Sequence, residues 1–194
     1  MKTTTKLNLS NGQKIEAITQ HMYGIMSALG LDLNDPSLKD TPRRVAKLYV
    51  SEIFAGLHLE APKMTVFPNK NYDQMVLIRD ITVNSCCEHH FLPFVGKCSI
   101  AYLPGKNVLG LSKFSRAVQH FAARPQLQER LTTDIGTFLQ KVLKTKDVAV
   151  LVDCVHTCCS IRGAKDATSS TVTSFLGGKF KDTALRSEFL TLRK

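Results

Sequence analysis

The pattern of apolar positions predicts two helices in the first third of the chain. In the segment that begins at Gln13, apolar side chains recur every three or four residues, as in an amphipathic helix, and Gly30 is a suitable end. A second helix is expected to begin at Thr41, which can cap it, with Pro42 in the first helical position. The first dozen residues are polar and are expected to be loose. We therefore predict an N-terminal helical region over residues 1–70.

The pattern changes after residue 70. Segments of strand length with alternating or continuous apolar residues predict four strands, with two helical segments between the second strand and the third. The predicted strands are 75–83, 97–103, 147–153 and 168–175, and the predicted helices are 113–123, capped by Ser112, and one that begins at Gln126. The order strand, strand, helix, helix, strand, strand predicts an α+β domain over residues 71–194. We expect a four-stranded antiparallel sheet with both helices on one face.

Composition and charge narrow the classes of function. The chain has 194 residues, of which 43% are hydrophobic, so it can bury a normal core. It has no apolar run of the roughly 18 residues that a membrane span needs, and its start has no apolar signal core, so we expect a cytoplasmic protein that does not bind membranes. The net charge of +10 indicates an anionic partner. Because the cations are scattered and Trp is absent, a polyphosphate cleft is favoured over nucleic acid.

Cysteine and histidine are concentrated in two short segments. The segments are 85–90, with Cys86, Cys87, His89 and His90, and 156–159, with His156, Cys158 and Cys159. A disulfide framework is one alternative, but thiols stay reduced in the cytosol. Cys and His together are the ligands of zinc, and Cys-x-x-His lets both side chains reach one ion. Two pairs, Cys86 with His89 and Cys87 with His90, have this spacing, so spacing alone does not choose between them.

A further ligand is expected from the second segment. His156 and Cys158 lie two residues apart, so on a continuing strand they would share one face while Cys159 would point away. One ligand from this face, added to a Cys-x-x-His pair, gives two sulfurs, one nitrogen and an open fourth position. That arrangement is typical of a catalytic zinc. We assign the remaining cysteines, Cys98 and Cys154, to core packing.

Five motifs occupy residues 40–47, 87–91, 110–113, 124–131 and 162–163. In their residues and in their order they resemble the motifs of GTP cyclohydrolase I, and the resemblance extends from about residue 15 to the C-terminus. The resemblance implies a T-fold, in which units assemble side by side into a barrel around a tunnel. It also implies a homodecamer of two stacked pentamers whose active sites are shared between subunits. For the metal, it implies zinc held by Cys87, His90 and Cys158.

The resemblance also implies a reaction. Zinc-activated water would attack C8 of the guanine ring of GTP, formate would leave, and 7,8-dihydroneopterin triphosphate would form, as a first step of folate- or tetrahydrobiopterin-type synthesis. His156 and His89 would transfer protons. Glu129, with Gln128 beside it, would accept hydrogen bonds from N1–H and the exocyclic amine of guanine. The residues expected to bind the triphosphate are Ser112, Lys113, Arg116, Arg162, Arg44 and Lys47.

Two other classes of function remain open at this point. The basic charge also suits a zinc-stabilised module that binds nucleic acid. A relative on the same fold with different chemistry, such as another pterin-pathway enzyme or a nitrile-reducing enzyme, is the second alternative, since fold alone does not fix function. The combination of Cys-Glu-His-His, His-x-Cys and Glu129 favours the cyclohydrolase.

Overall fold

The computed structural model describes residues 9–193. These residues form two compact units, one that ends at Ala55 and one that begins at Gly56. The predicted loose start therefore lies, for residues 1–8, outside the described range. The division at residue 70 between a helical region and a catalytic domain stays a prediction. No helix within residues 9–193 is long and apolar enough to cross a bilayer.

The first helix, α1, spans Asn11–Ala28 and begins with a capping box. The Ser10 hydroxyl oxygen accepts a hydrogen bond from the Gln13 backbone N–H at 3.3 Å, and the Gln13 side-chain oxygen accepts from the Ser10 N–H at 2.9 Å. These two bonds satisfy N–H groups that have no partner within the helix. The predicted helix is thus confirmed, and its start is two residues earlier than the apolar pattern indicated.

The second helix, α2, spans Thr41–Leu48, and a π-helical segment, Tyr49–Ile53, continues it. The prediction that Thr41 caps this helix is wrong, because Asp40 occupies the N-cap position. The Thr41 N–H already bonds to the Leu38 carbonyl oxygen at 2.9 Å, which draws Thr41 into the first turn. Pro42 consequently lies one residue further into the helix than predicted.

The second unit has the predicted order of long strands and helices, with short elements added. In chain order its elements are β1 (Val66–Pro68), β2 (Val76–Cys87), β3 (Pro93–Tyr102), β4 (Asn107–Leu109), α3 (Ser112–Ala122), β5 (Pro125–Gln126), α4 (Gln128–Leu143), β6 (Val148–His156), α5 (Thr157–Ser160), β7 (Thr171–Leu176) and α6 (Thr183–Leu192). The α+β class and the order expected of a T-fold are confirmed. Ser112 is the first residue of α3 and does not cap it, because the Lys113 N–H bonds to the Gly110 carbonyl oxygen at 2.9 Å.

The four long strands form the predicted antiparallel sheet, in the spatial order β2-β3-β6-β7. A fifth strand was not predicted. β5 pairs parallel with the end of β2, with Cys86 opposite Pro125 and Cys87 opposite Gln126. Because residues 125 and 126 belong to β5, α4 begins at Gln128, two residues later than predicted. Pro is tolerated on an edge strand because its missing N–H is not needed there. β1 and β4 form a separate two-stranded sheet.

Helices α3 and α4 pack on one face of the sheet, as predicted, and enclose the main core. Phe94, Phe114 and Leu131 are fully buried there. Cys98 and Cys154 belong to the same core, and all six cysteines of the chain are free thiols. The C-terminal segment packs on the opposite face, where the side chains of a second, smaller core are Ala101, Ala149, Leu151, Phe180 and Phe189.

The end of β6 corrects one sequence prediction that concerns the metal ligands. The strand ends at His156, which pairs with Phe94, and α5 follows, so His156 and Cys158 do not project from one strand face. The pairing stops because the next position on β3 is Pro93, which is the first residue of that strand and has no N–H to donate. Thr157 then donates its hydroxyl to the Pro93 carbonyl oxygen at 2.5 Å, which turns the chain over the start of β3.

Candidate metal centre

Three of the predicted ligands come together at one end of the sheet. The ligand atoms of Cys87, His90 and Cys158 all lie within 4.8 Å of one another. Cys87 is buried at the end of β2, Cys158 is half-buried on α5, and His90 is exposed. Because β3 lies between β2 and β6, the turn at Thr157 carries Cys158 back towards Cys87. The group could hold a metal ion and is accessible to solvent on the side of His90.

The turn that carries His90 is held by backbone hydrogen bonds. The Cys87 N–H donates to the Leu92 carbonyl oxygen at 2.8 Å, and the Phe91 N–H donates to the Cys87 carbonyl oxygen at 2.9 Å. Phe91 adopts a φ of 53°, which is unfavourable for an aromatic residue. The surrounding hydrogen bonds must offset this strain. His89 is exposed on the same turn, with its ring centroid 6.3 Å from that of His90.

The neighbouring thiols separate into candidate ligands and others. Cys86 is buried, precedes Cys87 on the strand and is not among the three grouped ligands. Cys159 is exposed, with its sulfur 4.0 Å from that of Cys158. Burial, and secondarily the proximity of Cys87, raises the pKa of the Cys158 thiol to about 11. A metal that binds there must therefore displace a proton.

His156 is fixed in position by Gln128 and Phe94. Its Nε2 lies 2.7 Å from the side-chain oxygen of Gln128, and its ring stacks on Phe94 with the centroids 4.6 Å apart. The Gln128 amide nitrogen donates to the carbonyl oxygens of Val152 and Thr171, at 3.1 and 2.7 Å, so its oxygen faces the imidazole. His156 consequently carries a proton on Nε2 and donates it to Gln128.

The charge around His156 affects its proton affinity. Burial lowers the pKa of His156, and the nearby carboxylate of Glu129 partly opposes this shift. Glu129 is exposed in the first turn of α4, directly after the buried Gln128. His156 therefore remains neutral at neutral pH and available to accept a proton.

Two contacts around the turn were not predicted. Glu88 forms an ion pair with Arg130 on α4, and Arg162 donates a hydrogen bond to Nε2 of His90 at 2.9 Å. Each joins residues far apart in the chain, by 42 and 72 positions respectively, so no local pattern could reveal it. A carboxylate inside the Cys-Glu-His-His segment was the one available signal for Glu88.

The other predicted phosphate residues lie elsewhere in the fold. Ser112, Lys113 and Arg116 lie at the start of α3. Phe114, which lies between Lys113 and Arg116, stacks on Tyr102, and Tyr102 pairs with Val76 at the start of β2. This end of the sheet is opposite to Cys87, and the 11 residues of α3 span about 16 Å. Within this chain these side chains therefore do not converge on the three grouped ligands.

Arg44 and Lys47, the remaining phosphate candidates, belong to the N-terminal unit. Both are exposed on α2. Arg44 forms an ion pair with Asp40, one helical turn earlier, at 3.6 Å. Exposed pairs of this kind contribute little to stability, so an anionic ligand can compete for the arginine.

Comparisons with known proteins identify the family. A family model described as GTP cyclohydrolase I matches residues 18–194. The GTP cyclohydrolase 1 of Shewanella amazonensis is 53% identical over 185 residues, which cover 94% of this chain and 86% of the relative. The GTP cyclohydrolase 1 of an Enterobacter species (strain 638) is 54% identical over 185 residues, with coverages of 94% and 83%. A solved structure, the archaeosine synthase QueF-Like in the apo form, aligns with a TM-score of 0.44 and 19% identity over 54% of this chain and 93% of that chain. By its match along most of its length, this chain belongs to the GTP cyclohydrolase I family.

Proposed function

We propose that this chain opens the imidazole ring of GTP by hydrolysis, releases formate and forms 7,8-dihydroneopterin triphosphate. The observation that carries this proposal is the convergence of Cys87, His90 and Cys158 beside a histidine held by Gln128. The relatives that are more than half identical to this chain are named GTP cyclohydrolase 1. The six free thiols suit a reducing compartment, and we propose the cytoplasm.

The metal in this proposal is zinc, held by Cys87, His90 and Cys158. Two thiolates and one imidazole are a zinc ligand set, and soft sulfur ligands disfavour magnesium and calcium. The exposure of His90 leaves one side free for water and substrate. When bound, zinc would activate water for attack on C8 of the guanine ring at neutral pH.

His156 is the proposed proton-transfer group, and Gln128 positions it. Because Nε2 donates to the Gln128 oxygen, the lone pair of the neutral ring is on Nδ1 and can accept a proton. Burial, which lowers the pKa of His156, favours this neutral form. Since the Gln128 amide is engaged by protein groups, we propose that it acts on the substrate through His156. His89, exposed on the metal turn, is a second proposed proton donor.

Glu129 is the proposed guanine anchor. A carboxylate accepts two hydrogen bonds side by side, as N1–H and the 2-amino group of guanine require. Its exposure in the first turn of α4 leaves both oxygens accessible to a ligand. It directly follows Gln128, whose side-chain oxygen lies 2.7 Å from Nε2 of His156, so the proposed anchor and the proposed proton-transfer group belong to segments that touch.

The triphosphate would be bound by Ser112, Lys113, Arg116, Arg162, Arg44 and Lys47. The start of α3 lies at the opposite end of the sheet from Cys87, so a site that includes both must combine different subunits. This geometry supports the proposed homo-oligomer, which is the family's decamer of two stacked pentamers. Each active site would then contain the metal ligands of one subunit and α3 cations of another.

The test combines metal analysis with turnover of GTP. The wild type should bind one zinc per subunit and convert GTP to formate and a fluorescent pterin. Cys87→Ser and Cys158→Ser should lose both properties. Cys86→Ser and Cys159→Ser, which are the matched controls, should keep the metal. Zinc retained in the first pair and lost in the second would contradict the proposed ligands, and a wild type that leaves GTP intact would contradict the proposed reaction.

A further inference from the structure

The hydrogen bond between Arg162 and His90 connects a proposed phosphate ligand to a proposed metal ligand. Arg162 Nη1 lies 2.9 Å from His90 Nε2. A guanidinium has only donors, so Arg162 donates and the lone pair on Nε2 accepts. A neutral imidazole that accepts at Nε2 carries its ring proton on Nδ1.

Metal binding at His90 cannot coexist with this hydrogen bond, whichever ring nitrogen is the ligand. If Nε2 binds the metal, the metal takes the lone pair that Arg162 now uses. If Nδ1 binds the metal, the ring proton must move to Nε2, and two donors then face each other. In either case the guanidinium has to leave the ring.

A displaced Arg162 is suited to bind an anion. It is exposed, and residues 161–170 around it are all exposed, so the side chain can turn towards solvent. Within residues 9–193 no carboxylate forms an ion pair with it. The planar fork of a guanidinium matches two oxygens of a phosphate group.

We propose that metal binding releases Arg162 from His90 to a phosphate group of the substrate, so that metal and phosphate bind cooperatively. This coupling rests on the proposed metal ligands and on the proposed phosphate contact of Arg162. By linkage, an anion that holds Arg162 must tighten metal binding by the same factor as the metal tightens anion binding. An exposed hydrogen bond is worth little, so the expected factor is about three- to tenfold.

The experiment measures zinc affinity in the full-length chain after removal of metal by a chelator. A chromophoric chelator competes for zinc in the wild type, in Arg162→Ala and in Lys165→Ala. Lys165 is exposed in the same loop, so its variant removes the same charge without touching His90. Each protein is measured in sodium chloride and in sodium sulfate at equal ionic strength, with sulfate as the tetrahedral anion.

In chloride, Arg162→Ala should bind zinc about fivefold more tightly than the wild type and Lys165→Ala, because the competitor for His90 is gone. Sulfate should raise the zinc affinity of the wild type and of Lys165→Ala. It should leave the zinc affinity of Arg162→Ala unchanged. Nitrogen NMR of the metal-free proteins should show the His90 proton on Nδ1 in the wild type, and a shifted tautomer balance in Arg162→Ala.

Three results would overturn the coupling while leaving the proposed function intact. The first is equal zinc affinity of the wild type and Arg162→Ala in chloride, and the second is an undiminished effect of sulfate on the zinc affinity of Arg162→Ala. The third is that Lys165→Ala in chloride binds zinc as tightly as Arg162→Ala does, which would mean that the loss of positive charge alone raises the affinity. A wild type that binds no zinc would instead remove the proposed metal centre, and the coupling with it.

Discussion

At the scale of single residues, the hydrogen bond from His156 to Gln128 determines which imidazole nitrogen keeps a free lone pair. Gln128 is 2% exposed, and its amide nitrogen is held by two backbone carbonyl groups, so its oxygen cannot rotate away. The imidazole is further held against Phe94. In its proposed role as proton acceptor, a ring fixed in this way would avoid the cost of reorientation during the reaction.

The first prediction tests whether Gln128 acts through His156. His156→Ala should keep zinc and lower kcat by about 10²–10⁴, as for other general acid–base groups. Gln128→Met, which has similar volume and no acceptor oxygen, should also lower kcat. Adding Gln128→Met to His156→Ala should then have little further effect, because residues that act as one unit are not additive. Independent, multiplying losses would show that Gln128 has a separate role.

The second prediction concerns the base that the site selects. A carboxylate at Glu129 that accepts from N1–H and the 2-amino group should favour GTP over inosine triphosphate, which lacks that amine. Glu129→Ala should lower kcat/KM for GTP sharply, keep zinc and narrow the ratio between the two nucleotides. The measurement is kcat/KM for both nucleotides in both proteins. An unchanged ratio would mean that other groups recognise the base.

At the scale of elements, the parts of the fold that local periodicity defines could be predicted, and the parts that depend on partners could not. The order of long strands and helices follows from apolar spacing. β5 exists because two residues, Pro125 and Gln126, find free backbone groups beside Cys86 and Cys87. β6 ends at His156 because the neighbouring strand, β3, begins at Pro93, and no feature of the 156–159 segment reveals that limit.

The candidate site likewise has parts that the sequence predicts and parts that depend on distant partners. The residue types and the family motifs indicated Cys87, His90 and Cys158 correctly as neighbours, although the strand-face argument for Cys158 failed. The contacts that orient these groups join distant segments. Arg162 with His90 and Glu88 with Arg130 could be found only once the chain was folded.

The third prediction tests the close packing of β3 against β6. A Cβ added at Gly96 would lie 2.0 Å from the Asp153 carbonyl oxygen and 2.8 Å from the Cys154 sulfur. The carbonyl belongs to the neighbouring strand and cannot rotate away, so Gly96→Ala should destabilise the fold by about 1–3 kcal/mol. Gly105→Ala is the matched control, because nothing lies within 4 Å of its added Cβ.

Urea unfolding at one fixed protein concentration measures this difference, since assembly also affects apparent stability. The midpoint should fall for Gly96→Ala and stay near the wild-type value for Gly105→Ala. Equal midpoints for the two variants would mean that the strands can separate locally at little cost.

At the scale of the whole molecule, the sheet has an outer strand and exposed apolar side chains. β7 is its outer strand, and Val172 on β7 is 51% exposed. On the first part of β3 and the last part of β6, Val95 and Val155 face each other and are 44% and 37% exposed. An open edge and exposed apolar side chains favour association with another chain.

The last prediction therefore concerns assembly. Sedimentation should show the wild type as a large oligomer, with a mass near ten times that of one chain if the proposed decamer forms. Val172→Lys should lower this mass, because a lysine on an edge strand opposes pairing with another strand. The subunit itself should tolerate the change, since Asp153 lies directly opposite Val172 on β6 and can pair with the new cation.

Activity should fall together with the mass. If the metal ligands and the α3 cations of one site come from different subunits, a dissociated chain keeps its zinc and its fold but cannot bind the triphosphate with both sets. Zinc content, circular dichroism and GTP turnover, measured on the same Val172→Lys preparation, separate these properties. Full turnover by a monomeric fraction would show that one subunit contains a complete site, and Lys113 and Arg116 would then have no role in binding the substrate.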